Sequence, residues 1–164
     1  MKFYIKKFEE LTALEVYEIG KIRQEVFVVE QNCPYLDFDN KDLKCYHVFA
    51  KDEEKNKIIC YSRVIPKNLS YDTPSIGRVL VDKDYRHNGY ARELLLQSIE
   101  VIKNSFSNEN ITIGAQYYLR DFYHSLGFEE ISERYDEDRI PHVDMFLKLV
   151  VTTQLYSYKK IKNS

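Results

Sequence analysis

The chain has 164 residues, with 24 Lys and Arg against 26 Asp and Glu, for a net charge of −2. That length suits one domain with a sizeable core, and the charge balance removes any general pull toward nucleic acid or an acidic membrane. No run reaches the roughly 20 apolar residues that span a bilayer, and Lys2, Lys6 and Lys7 interrupt the start, so a cytoplasmic protein is expected.

Aromatic content is carried by 14 Tyr and 9 Phe, with no Trp. Cys33, Cys45 and Cys60 are odd in number and widely spaced, which indicates reduced thiols rather than a zinc knuckle or a redox pair. No metal is expected.

Lys2 to Lys7 alternates, with Phe3 and Ile5 on one face, and reads as a first strand. Thr12 and Glu15 form a capping box for a helix that buries Val16, Ile19, Ile22 and Val26. Phe27 to Gln31 continues that helix or leaves it. Asn32 to Leu43 is irregular, and its Asp37, Asp39 and Asp42 invite three readings. A calcium loop fails for want of the glycine and the closing glutamate. An acidic rim for a cationic amine is possible, and a solvated loop is the preferred reading. Tyr46–Lys51 and Ile58–Ile65 form an antiparallel hairpin, in which His47 reads as a hydrogen-bonded sheet residue.

Ser75 to Ile102 organises the rest. Ser75–Val81 is β-branched and apolar, as a buried strand requires. Arg78 lies within it, facing a pocket or paired with a carboxylate of the first helix. A polar turn follows, Asp82 to Ala91. Then Ala91, Leu95, Ser98 and Ile102 mark one face of an amphipathic helix. A strand, a tight turn and a helix start make an anion site, because free N–H groups and the helix dipole point outward there. Gly89 permits close backbone approach.

Ile111–Ala115 is the next strand. Leu119–Leu126 is a short helix that ends at Gly127 in a left-handed cap. Phe128–Ser132 and Val143–Leu149 pair as a last hairpin across an acidic tip, Asp136 to Asp138. One domain over 1–152 is expected, with a frayed tail over 153–164.

The Arg86-x-x-Gly89-x-Ala91 turn resembles the acetyl-CoA pyrophosphate loop of the GNAT N-acetyltransferases. Phe122-Tyr123-x-x-x-Gly127-Phe128 resembles that family's fourth-helix motif. The two occur in the family's order, each behind a strand, and the element order resembles the GNAT fold over nearly the whole chain. Arg23 to Tyr35, Gly114-Ala-Gln116 and Ile140-Pro-His142 resemble the ElaA subgroup. Ala91 stands where glycine is frequent, and Gln116 where asparagine is.

The resemblance implies an α/β (α+β) GNAT fold, a mixed and mostly antiparallel sheet of six to seven strands with splayed central parallel strands. It implies acetyl transfer from acetyl-CoA to a primary amine by direct attack; the alternative is a non-catalytic acyl-CoA sensor. Arg86, His87, Asn88, Gly89, Tyr90 and Ala91 would hold the pyrophosphate. Val79, Leu80 and Val81 would pair with the pantetheine arm and polarise the thioester carbonyl, and Gln116 would reach the cofactor. Tyr123 would be the general acid, since a phenol is matched to a leaving thiolate. Glu30 and His142 are candidates to take the amine proton. His87 and His124 are expected to be exposed. The partner would be a small-molecule or peptide amine, and a homodimer is common among relatives.

Overall fold

Two four-stranded sheets lie side by side in a computed structural model that describes residues 1–150. The expected tail, and the expected limit of the domain at 152, lie outside the described residues. The first sheet runs antiparallel in chain order through β1 (Phe3–Lys7), β2 (Tyr46–Asp52), β3 (Lys57–Ile65) and β4 (Ser75–Val81). In the second, β8 (Ile140–Leu147) pairs on one side with β5 (Ile111–Gln116). On its other side it pairs with two short strands, β6 (Glu129–Glu130) and β7 (Tyr135–Glu137).

The described residues hold eight strands, close to the expected six to seven, with the first arm of the last hairpin split into β6 and β7. The tip differs. Asp138 and Arg139 both have positive φ, 48° and 65°. That makes a two-residue turn of the type that matches strand twist. Asp136 and Glu137 therefore belong to a strand, not to the tip.

Helix α2 (Tyr90–Ser105) carries the chain from β4 to β5 and buries Leu94, Leu95, Ser98, Ile99 and Ile102. These pack with Val48, Cys60 and Val64 of the first sheet and Ile113 and Met145 of the second, so one core spans both sheets. A smaller core lies on the opposite face of the first sheet, where Ile19, Ile22 and Phe27 meet Phe49, Tyr61 and Leu80. Covered on both faces, β3 is buried from Ile58 through Ile65, including its polar Ser62 and Arg63. At the edge, β1 packs Phe3 and Tyr4 inward, and Ile5 is exposed instead of sharing the inner face with Phe3. Cys33, Cys45 and Cys60 are free and buried. Burial pushes the Cys45 and Cys60 thiols up to about 12, which keeps them protonated and inert. No helix among the described residues is long and apolar enough to cross a membrane.

Helix α1 (Ala13–Arg23) begins with the expected capping box. Thr12 Oγ1 accepts from the Glu15 N–H at 3.1 Å, and the Glu15 carboxylate accepts from the Thr12 N–H at 3.0 Å. Lys6 and Lys51 also reach Glu15, at 2.9 and 3.1 Å. Burial alone would raise the Glu15 pKa, but the Thr12 amide and the two ammonium groups outweigh it and hold the carboxyl at about 2.

A similar contest at Asp39, burial against the Arg63 guanidinium, also ends at about 2. Ordinary values are 4.5 for Glu and 3.8 for Asp. Both carboxyls thus bind protons more weakly in the folded chain than in the unfolded one. Their stabilisation is complete above the unfolded values and is lost as pH falls toward the folded ones. The thermal midpoint is expected to fall steeply between about pH 4.5 and pH 2. Glu15→Gln should flatten that fall. An equally steep acid limb in the variant would show that Glu15 contributes nothing to it.

The first helix does not stop at Arg23. Residues Gln24–Glu30 continue it as a π-helix, with bonds such as Gln31 N–H to Val26 O and Cys33 N–H to Val28 O. The wider turn keeps Phe27 in the core and presents Val26 and Glu30 to a cleft.

Candidate active site

The cleft exists because β4 and β5 part company. Both start at one closed end, where the Thr112 N–H donates to Pro74 O at 3.2 Å and Thr73 meets Thr112 through their hydroxyls at 2.7 Å. Beyond that point each strand pairs, among the described residues, only with its own sheet, so β4 presents an unpaired main-chain edge toward β5. The opening is about 1060 Å³ and is lined by Ser75 and Gly77 to Val81 on one side and by Gly114 and Gln116 on the other. It exceeds the roughly 300–1,000 Å³ of a typical small-ligand pocket.

A bulge bends β4 at this place. Leu80 lies opposite Tyr61 and Gly77 opposite Arg63, so Arg78 and Val79 together face the single residue Ser62. Arg78 takes the left-handed conformation, with φ of 52°. A non-glycine residue there is strained and must be held. The holder is Asp37: Arg78 Nε donates to its Oδ1 at 2.7 Å and Nη2 to its carbonyl at 3.1 Å.

Asp37 is in turn held by Arg23, whose Nε donates to Oδ2 at 2.7 Å and whose Nη2 donates to the carbonyl at 2.9 Å. Arg23 Nη1 and Arg63 Nη1 share Asp42 Oδ1, at 2.7 and 3.0 Å. Arg63 also forks Asp39, with both bonds at 2.6 Å. The three loop aspartates are therefore neither a solvated loop nor an acidic rim. They are spent on three arginines, and Arg78 pairs with this loop rather than with the first helix. His47 braces the same knot, donating from Nε2 to Asp42 O at 2.9 Å and accepting at Nδ1 from the Tyr61 hydroxyl at 2.8 Å.

At the open end, His87 and Gly89 both have positive φ, 64° and 80°. The alternating conformation turns successive N–H groups toward one side, just before the free donors of the first turn of α2. A Cβ built on Gly89 would meet nothing within 4 Å, so the space above the loop is open. Asn88 closes the turn by donating to Tyr85 O and Arg86 O, at 3.1 and 2.9 Å. The geometry fits an anion, and the free β4 edge fits an extended chain of amides.

Tyr123 closes the wall opposite that edge. It lies in α3 (Arg120–His124), after a 3₁₀ turn over Tyr117–Leu119, so the expected helix over 119–126 is shorter and starts more tightly. Gly127, with φ of 94°, ends it. The Phe128 N–H reaches back to Tyr123 O at 3.2 Å and the Gly127 N–H to His124 O at 2.9 Å. This pair of bonds is a Schellman cap, and its usual apolar contact is the edge of Phe128 against the Tyr123 ring at 5.8 Å. The glycine thus fixes both the backbone and the ring of Tyr123. Burial first, and then Tyr118, raise the Tyr123 pKa well above its ordinary value. The phenol keeps its proton at neutral pH and can only donate it.

The remaining expected residues lie in the cleft, but with partners the sequence does not announce. Glu30 is forked by Arg86 at 2.8 and 3.0 Å. Gln116 exchanges bonds of 3.3 and 3.5 Å with Gln31, an amide bridge from β5 to the end of the π-helix. His142 lies beside Gln116 in the β5–β8 register. Its Nδ1 donates to Ile140 O at 2.7 Å, and its Nε2 lies 3.4 Å from Glu137 Oε2. Val79, Leu80, Val81, Tyr90 and Ala91 all line the cleft. His87 and His124 are exposed.

Sequence reasoning missed one part of the cleft. At the closed end Gly77 and Gly114 face it from the two strands without side chains. Asp144, opposite Gly114, accepts from the Tyr71 and Tyr135 hydroxyls at 2.9 and 2.7 Å. A Cβ on Gly114 would sit 3.0 and 3.1 Å from those hydroxyls. The glycine in Gly114-Ala-Gln116 was the available signal. Among the described residues no group of three His, Cys, Asp or Glu side chains is placed to hold a metal ion.

Comparison with known proteins agrees with this geometry. Residues 23–149 match the family model described as "Acetyltransferase (GNAT) domain". A UPF0039 protein of Schizosaccharomyces pombe is 43% identical over 150 residues, covering 91% of this chain and 98% of that one. The crystal structure of Escherichia coli ElaA superposes with a TM-score of 0.83 at 32% identity, covering 90% of this chain and 100% of that one. An acyl-CoA N-acyltransferase from Pseudomonas aeruginosa gives the same TM-score at 30% identity, covering 90% and 99%. With a family model over most of its length and ElaA among its relatives, the chain belongs to the GNAT acetyltransferase family, whose chemistry is acyl transfer.

Proposed function

We propose that the protein transfers the acetyl group of acetyl-CoA to a primary amine by direct attack in a ternary complex. The observation that carries this reading is the unpaired edge of β4, opening from the anion loop at residues 86–91 to the phenol of Tyr123. The diphosphate would rest on the amides of His87 to Ala91, with Arg86 beside it. The pantetheine amides would pair with Val79 to Val81 as an added strand, which sets the thioester against the bulge. A main-chain N–H of that segment would polarise the thioester carbonyl.

The amine nitrogen attacks the carbonyl carbon, the C–N bond forms and the C–S bond breaks. The departing sulfur takes a proton from the Tyr123 hydroxyl, and the nitrogen gives one to His142 Nε2. Holding both reactants in one cleft supplies proximity, which is worth orders of magnitude in rate. The amine enters through the closed-end lobe between Gly77 and Gly114.

The test is release of free thiol from acetyl-CoA over a panel of amines. Thiol is expected only with both protein and a competent amine present. Lack of release with every amine, together with no rise in melting temperature on adding acetyl-CoA, would overturn the reading.

A further inference from the structure

We propose that Glu30 is an internal occupant of the coenzyme's anion site, displaced from Arg86 when the coenzyme's diphosphate arrives. This inference rests on the acetyl-CoA reading above and assigns Glu30 a role within it.

The Arg86 guanidinium is held at three points. Nε donates to Val81 O at 3.0 Å, Nη1 to Glu30 Oε1 at 2.8 Å and Nη2 to Glu30 Oε2 at 3.0 Å. The Val81 contact pins the arginine between the end of the free β4 edge and the start of the anion loop. The fork presented to Glu30 is the one that matches two oxygens of a phosphate. One edge of a guanidinium cannot fork both anions at once.

The pair is also built to be displaced. Its side chains are 35% and 43% exposed, so solvent reaches both ends of the bond. Such exposed pairs are weak. A diphosphate held on the adjacent backbone amides brings more charge to the same fork. The bonds of Arg23 to Asp37 and Asp42 show the contrast, with side-chain exposures of 0% for the arginine and 10% for each aspartate.

Displacement changes the cleft. Glu30 ends the π-helix, next to Gln31 of the amide bridge, and lines the cleft with Val26 and Tyr35. Released, its carboxylate stands in the cleft with no guanidinium to neutralise it and adds negative potential there for a cationic amine. Coenzyme binding thereby strengthens the hold on the amine, and by linkage the amine strengthens the hold on the coenzyme to the same degree.

Calorimetric titration of the full chain tests this with two probes, acetyl-CoA and S-acetylpantetheine, which lacks the diphosphate. Glu30→Gln removes the competing charge and is expected to tighten acetyl-CoA by about two- to fivefold. S-acetylpantetheine affinity should be unchanged. In an Arg86→Gln background the Glu30 substitution should add nothing, as a double-mutant cycle requires of a coupled pair. Unchanged or weaker acetyl-CoA binding in Glu30→Gln overturns the inference, as does equal tightening of both probes. Failure of the unaltered protein to bind acetyl-CoA overturns the functional reading and this inference with it.

Discussion

Tyr123→Phe is expected to lower turnover about a hundredfold and to leave acetyl-CoA affinity unchanged. The substitution removes one oxygen and keeps the ring. The edge contacts with Phe122 and Phe128, at 5.4 and 5.8 Å, do not involve the hydroxyl. The Schellman cap at Gly127 is made by main chain alone and stays. Neither the fold nor the anion loop should register the change.

The loss falls on the step in which charge develops on sulfur. A thiolate leaving into a cleft without a donor carries its full charge in a poorly solvated place. Burial holds the Tyr123 proton in place to well above neutrality, so the unaltered enzyme should show no alkaline loss of rate from this group near pH 8. Single-turnover rates with a saturating amine, beside a calorimetric Kd for acetyl-CoA, separate the chemical step from binding. Turnover equal to that of the unaltered protein would remove Tyr123 from the chemistry.

What could be read from the sequence shares one property: it is local. The anion loop needs Gly89 three residues after Arg86, and the Schellman cap needs Gly127 four residues after Tyr123. The capping box needs Thr12 and Glu15 three apart. Short spacings of this kind survive in a string of letters. The ion network does not. Arg23, Asp37, Asp42, Arg63 and Arg78 are scattered over three elements and a loop, and no short spacing ties them together. Only the fold makes them neighbours.

The π-helix escaped for a related reason. Val26, Phe27 and Glu30 have the same apolar pattern whether the bonds span four residues or five. The bulge at Arg78 was hidden because a strand of β-branched residues gives no sign of one residue with positive φ. Gly77, Gly114 and Asp144 were passed over because the closed-end lobe is assembled across two sheets.

Arg23→Met is the substitution expected to destabilise the fold most, by about 3–5 kcal/mol. Arg23 is fully buried and donates to Asp37 Oδ2, Asp37 O and Asp42 Oδ1. Its guanidinium also stacks near the Phe38 and Tyr61 rings, at 5.2 and 5.7 Å. Phe38 reaches that position by lying on Gly20, where a Cβ would come within 2.8 Å of the ring. Methionine fills much of the volume but donates nothing. Three arginines against three aspartates become two against three, in a knot where Asp42 Oδ2 already has no partner among the described residues.

An uncompensated buried carboxylate is costly because the interior cannot solvate it. Lysine should not rescue the loss, since one ammonium on a flexible stem cannot reach three acceptors in a fixed fork. Against a typical total of about 5–15 kcal/mol, such a loss brings the chain close to unfolding at room temperature. The damage should also travel to the cleft, because Asp37 is what holds Arg78 in its strained conformation and β4 in its bend. The urea midpoint reads the first effect, and the rise in melting temperature with acetyl-CoA, measured on the fraction still folded, reads the second. A loss below about 1 kcal/mol would mean that the arginine–aspartate knot is not what clamps the bulge.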